Sequence, residues 1–209
     1  MLCAYLVSYA EGLLVFFLGK GYEAAYIAFS LMLVYTAYQS IGQIFGTMLF
    51  AANMSARYAE VSIATNLASI LLAYILMSPQ DAFLPGLGLG AIGAALKTLI
   101  AAFAAVNVQS CMIARGLGSR FEFSYQFKTF ALLLATAYGS REATEAFFAF
   151  SGIKAHVLVV WSLGSIIYVL VSGAATYLFP WITGMTRDTI KGYLRPLLGQ
   201  RKKREPFLE

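Results

Sequence analysis

Read along the chain, apolar stretches long enough to cross a bilayer alternate with short polar breaks. Residues 26–50 contain no Asp, Glu, Lys or Arg, and neither do residues 155–186. About 20 mostly apolar residues span roughly 30 Å of hydrocarbon as a helix, so uncharged runs of this length read as membrane spans. The pattern predicts six: about 2–18, 25–51, 61–77, 91–114, 127–148 and 155–181. Glu11 interrupts the first. The fifth is the weakest, because only 129–140 is free of charge. A Pro/Gly-rich break at 78–90 separates the third from the fourth, and Trp161 and Trp181 sit within the sixth, near its ends, as interfacial aromatics do. The expected fold class is all-α, a polytopic transmembrane helix bundle of about six spans over residues 1–181, followed by a basic cytoplasmic tail, 182–209.

Composition removes the soluble alternative. Of 209 residues 60% are hydrophobic and 12% charged, with mean hydropathy +0.73. A soluble domain carries about 25% charged residues, so this chain could not cover a water-facing surface. Met1 is followed directly by apolar residues without a basic leader or small-residue cleavage site, so no cleaved signal peptide is expected. Cys3 and Cys111 are too few for a disulfide framework or metal site, and His156 has no ligand partners nearby. No cofactor is expected.

Charge sets the direction of insertion. Arg187, Lys191, Arg195, Arg201, Lys202, Lys203 and Arg204 follow the last span; Arg115, Arg120 and Lys128 lie between the fourth and fifth; the 78–90 break has no Lys or Arg. The positive-inside rule puts the first two regions in the cytoplasm and the third outside. The fifth segment must then cross, with Arg141, Glu142 and Glu145 at the outer interface, and both termini are cytoplasmic. The Asn53-Met54-Ser55 sequon falls inside and is not expected to be glycosylated. In the tail, Ile190, Tyr193, Leu194 and Leu197 can share one helix face ahead of the 201–204 basic cluster, which suits an anionic membrane surface and not nucleic acid.

The chain holds no P-loop, nucleophile elbow, HExxH or CxxC, so it is read as a non-enzyme. Residues 86–93, Gly-Leu-Gly-Leu-Gly-Ala-Ile-Gly, lack the strand–turn–helix setting of a dinucleotide fingerprint. They are read as a tight extracytoplasmic turn with close helix packing.

The order of several short motifs carries a resemblance. The run 13–25, Leu-Leu-Val-Phe-Phe-Leu-Gly-Lys-Gly-Tyr-Glu-Ala-Ala, looks like an "apolar run–Gly–x–x–Tyr–x–x–Ala" junction. Gln39-Ser40-Ile41-Gly42-Gln43 follows mid-helix, then the helix end at 49–58, Asn66-Leu67, residues 72–76 and the entry 88–96, Gly-Leu-Gly-Ala-Ile-Gly-Ala-Ala-Leu. Together, over about 11–114, they resemble polysaccharide and lipid-linked oligosaccharide flippases of the multidrug/oligosaccharidyl-lipid/polysaccharide exporter superfamily. Such flippases have 12 or 14 helices in two lobes. The resemblance implies a C-terminal portion from about the ninth helix, with six spans to the end and both ends cytoplasmic. It implies a component of the cytoplasmic membrane that translocates a lipid-linked saccharide, an O-antigen or exopolysaccharide unit, by alternating access. The resemblance finds no counterpart in residues 1–209 for the family's N-terminal lobe or the first two helices of its C-terminal lobe, so it implies a cavity that needs that lobe or a second subunit. Three other readings stay open: a drug/cation antiporter fragment of the same superfamily, a membrane-embedded glycan-processing enzyme, or an inactive truncated relic.

Ionisable residues within spans are costly and are functional candidates by default. Glu11 lies about seven residues, roughly 10 Å, from the outer end of its span. It could couple cation binding or hold a sugar hydroxyl; alternatively it pairs with Lys97. Lys97, near the outer end of the fourth span, could bind the pyrophosphate of a lipid-linked substrate, or snorkel to the interface. Arg57 could meet substrate phosphate on the loading side, or anchor topology. Gln39, Gln43, Asn66, Asn107 and Gln109 are amides that lipid cannot satisfy, so they face other helices or a polar cavity.

Overall fold

The first expected span is not one helix. In the computed structural model, which describes residues 1–81, 85–117, 123–151 and 156–178, the chain opens with α1 (Leu2–Ser8) and α2 (Ala10–Leu18), broken at Tyr9. Neither reaches the length a crossing needs. α2 stops at Gly19, whose φ of +91° is a left-handed backbone that favours glycine. A 3-10 turn, Lys20–Ala25, then leads into α3 (Tyr26–Ala51). There follow α4 (Ser55–Met77), α5 (Gly90–Leu117), α6 (Phe123–Ser151) and α7 (Val157–Leu178). Every regular element among the described residues is helical.

Among the described residues four stretches are long and apolar enough to cross a membrane: Lys20–Ala51, Ser55–Met77, Gly90–Gly116 and Val157–Leu178. They coincide with the second, third, fourth and sixth of the expected six. In the first, each of the two helices is short, seven and nine residues. α6, the expected fifth, is long, but charge weakens it: Lys128, Arg141, Glu142 and Glu145 all fall within it. Arg141 Nε donates to Glu145 Oε1 at 2.7 Å, a half-exposed pair one turn apart. The tail and Trp181 lie outside the described residues.

α4 begins six residues earlier than the hydrophobic pattern suggests, because the α3–α4 turn is tighter than its polar residues imply. Asn53 takes the left-handed conformation at φ +57°. Its N–H donates to the Phe50 carbonyl at 3.0 Å, and the Met54 N–H donates to the Leu49 carbonyl at 2.9 Å. This is the Schellman pattern, which satisfies the last carbonyls of a helix and reverses the chain in two residues. Arg57 and Glu60 consequently sit exposed in the first turns of α4.

The described residues fall into two compact units that divide between Ser124 and Tyr125. In the first, α5 packs along both α3 and α4, while α3 and α4 touch each other little and α1 and α2 rest on α3. Leu49 and Val106 are fully buried at the α3–α5 seam, and the Tyr38 and Phe103 rings meet edge to face, centroids 5.5 Å apart. The α4–α5 connection folds back on the end of α4. Leu87, Gly88 and Leu89 donate their N–H groups to the carbonyls of Ile75, Ser78 and Leu76 at 2.8, 2.9 and 3.0 Å. Carbonyls that a helix end leaves open are thereby satisfied by remote backbone.

In the second unit, the buried Ala137, Ser140 and Thr144 recur on one face of α6, and Gly164, Tyr168 and Ser172 on one face of α7. Ser140 and Thr144 return their hydroxyls to the Ala137 and Ser140 carbonyls.

Candidate functional site

With α5 as floor and α3 and α4 held apart, a cleft of about 480 Å³ opens between the three helices. Its walls have matching registers. α3 contributes Tyr35, Gln39, Gly42 and Gln43; α4 contributes Tyr58, Ser62, Thr65, Asn66 and Ser69. On α4 the spacing is i, i+4, i+7, i+8 and i+11, and α3 repeats its first four positions. Both are one face of a 3.6-residue helix. The α5 stripe runs from Lys97 and Thr98 over Ala101, Ala102 and Ala105 to Val106 and Gln109. The alanines leave space between a cation at one end and an amide at the other, about 18 Å apart at 1.5 Å per residue.

The opposite face of α4 is apolar: Ile63, Leu67, Ile70 and Leu71 are all exposed. Contiguous exposed apolar surface of this kind is disfavoured in water and ordinary against lipid. So α4 presents amides and hydroxyls to the cleft and aliphatic side chains away from it.

Among the described residues, Lys97 is the only charged one lining the cleft, and it makes no ion pair there. The local charge is therefore positive. An ammonium about 10 Å along a spanning helix is tolerated where it faces water, an anion or acceptor groups. The hydroxyls differ in availability. Thr65 and Thr98 donate to the Val61 and Ala94 carbonyls at 2.7 and 2.8 Å and are thus used within their own helices. Gln39, Gln43 and Asn66 are exposed on the cleft walls. Gln109 is only 6% exposed, and its Oε1 is buried without a hydrogen-bond partner.

Of the residues singled out from the sequence, Lys97, Gln39, Gln43 and Asn66 come together in this cleft, with Gln109 at its deep end. Arg57 is exposed beside Tyr58 and does not line it. Glu11 is exposed on a separate shallow depression with Lys20, Glu23 and Tyr26, and it does not pair with Lys97. Asn107 lies outside the cleft and donates Nδ2 to the Phe103 carbonyl at 2.7 Å. Sequence reasoning passed over Tyr35, Tyr58, Ser62, Thr65, Ser69 and Thr98. The recurrence of Ser62, Thr65, Asn66 and Ser69 on one face of an apolar helix was the available signal. Among the described residues no three His, Cys, Asp or Glu side chains gather as a metal-ligand set.

Among the described residues, four helices long and apolar enough to span, one of them with an exposed aliphatic face, and a polar cleft between three of them give the architecture of a multi-pass membrane protein. Compared with known proteins, the chain matches no family model, no curated protein and no solved structure.

Proposed function

We propose that this chain is a membrane flippase component that carries a lipid-linked saccharide across the cytoplasmic membrane, with the α3–α4–α5 cleft taking the head group while the lipid chain stays in the bilayer. One observation carries the reading: a cleft among spanning helices in which a lone cation, Lys97, accompanies amides and hydroxyls and no carboxylate. An ammonium free of internal partners suits a phosphate or pyrophosphate. Amide and hydroxyl groups around it suit a polyol, because each sugar hydroxyl both donates and accepts. Tyr35 and Tyr58 add apolar ring faces with a polar tip. A site built for a hydrophobic cation would carry acidic or purely aromatic walls instead. Alternating access requires no bond to be made or broken, so the reading is of a carrier and not an enzyme. The 480 Å³ cleft is open to one side, which fits a component that completes its cavity with a further lobe or subunit.

The test is binding of a polyprenyl pyrophosphate that bears one hexose to the full chain in nanodiscs. Wild type should bind this carrier and ignore the uncharged polyprenol. Lys97→Met, which keeps the length and removes the charge, should weaken binding about tenfold, the loss expected of one charge-assisted contact. Equal binding of the uncharged polyprenol, or full affinity in Lys97→Met, would overturn the proposal.

A further inference from the structure

Gln109 has a problem that its own protein does not solve. Its side chain is 94% buried on the α5 floor, and Oε1 finds no donor. Such a group ordinarily costs stability, and a Met or Leu of similar volume would remove the cost. The amide lines the cleft, where its other edge can meet an incoming group. The position is also shaped. A Cβ added at Gly42 on the facing helix would stand 3.2 Å from Val106 Cγ2 and 3.9 Å from Gln109 Oε1. The glycine therefore keeps a side chain off the wall where the amide sits.

Resting on the head-group reading above, we infer that Gln109 is a specificity-determining residue: an amide subsite at the deep end of the cleft that reads saccharide hydroxyls, separate from the cationic end at Lys97. The two ends ask different questions of a ligand. Lys97 answers to negative charge and is indifferent to the sugar. Gln109 answers to a group that can donate and accept, which a hydroxyl does and a phosphate oxygen does not. An amide turned by half a revolution about its last torsion exchanges carbonyl and NH₂, so a hydroxyl can be met in either setting. A buried polar group whose partner is the ligand also rejects analogues that lack the matching group far more strongly than an apolar wall could.

The experiment compares two carriers in nanodiscs holding the full chain: polyprenyl pyrophosphate bearing one hexose, and bare polyprenyl pyrophosphate. Wild type should prefer the hexose-bearing carrier. Gln109→Met should lower affinity for that carrier about tenfold and leave the bare carrier unchanged, while Lys97→Met weakens both. Thermal stability of Gln109→Met without ligand should equal or exceed that of wild type, because an orphaned buried acceptor has been removed. If Gln109→Met does not insert, Gln109→Asn keeps the amide one methylene back and should show a smaller loss confined to the hexose-bearing carrier. Unchanged affinity for the hexose-bearing carrier, or equal losses for both carriers, overturns the subsite while leaving the cationic cleft standing. Failure of wild type to bind either carrier overturns the head-group reading, and the subsite with it.

Discussion

Gly86 offers the sharpest test of how the cleft is held open on its α4–α5 side. A Cβ at this position would lie 2.6 Å from the Ser78 carbonyl oxygen, 2.7 Å from Ser78 Cβ and 2.9 Å from the Ile75 carbonyl oxygen. Two of these three are backbone atoms at a helix end and cannot rotate aside, so Gly86→Ala must displace the connection itself. What it displaces is the ladder from Leu87, Gly88 and Leu89 to the carbonyls of Ile75, Ser78 and Leu76. At about 1 kcal/mol net for each bond, loss of all three amounts to about 3 kcal/mol. For a chain of this size that corresponds to a fall of about 6–12 °C in melting temperature. The assay is built in, since Cys3 and Cys111 are free and half-buried, so a thiol-reactive dye in detergent reports their exposure on heating. Gly173→Ala is the control: nothing lies within 4 Å of the added carbon, and in mid-α7 alanine should stabilise by up to about 1 kcal/mol. If Gly86→Ala melts with wild type, the connection does not brace the helix pair and the reasoning fails.

Asn53→Ala should cost about 1 kcal/mol in the same melt, because alanine resists the left-handed backbone that Asn53 holds at φ +57°; Asn53→Gly should be neutral or better. If α4 crosses the membrane, single cysteines placed at Asn53 and at Gln80, on a cysteine-free background, should label from opposite sides; labelling of both from one side would remove α4 as a span. Glu11→Gln should leave carrier affinity unchanged, because Glu11 lies on a depression apart from the cleft; a loss comparable to that of Lys97→Met would bring Glu11 into the substrate path.

How far the fold was legible follows from what each helix needed to form. α3, α5 and α7 announce themselves by apolar length alone, and their observed ends fall close to the expected ones. The expected start of α4 at residue 61 follows the end of the charged stretch that holds Arg57 and Glu60. Its true start depends on Asn53 turning the chain in two residues, a local conformation that hydropathy does not register. The break at Tyr9 carries no proline, and nothing in the composition of residues 2–18 marks it. α6 was ambiguous in the sequence and is ambiguous for the same physical reason in the structure: length without enough apolar character.

The site was legible in proportion to how poorly each polar residue can satisfy itself. In a spanning helix a Ser or Thr hydroxyl can donate to its own preceding turn, as Thr36 does to the Met32 carbonyl, Ser40 to Thr36 and Thr98 to Ala94. Such residues cost little in lipid, so finding them says little about where a cleft lies; only their recurrence on one face of α4 does. A primary amide has two donors and two acceptor sites, more than its own helix can pair. Asn107 pairs its Nδ2 with the Phe103 carbonyl and still leaves Oδ1 without a partner. Gln39, Gln43 and Asn66 resolve the difficulty by standing exposed on the cleft walls. Gln109 resolves it in neither way, being buried on the cleft floor with its oxygen unmatched. The amides are thus the informative residues of this chain, and among those of the cleft Gln109, with the largest unmet demand, most needs a partner from outside the protein.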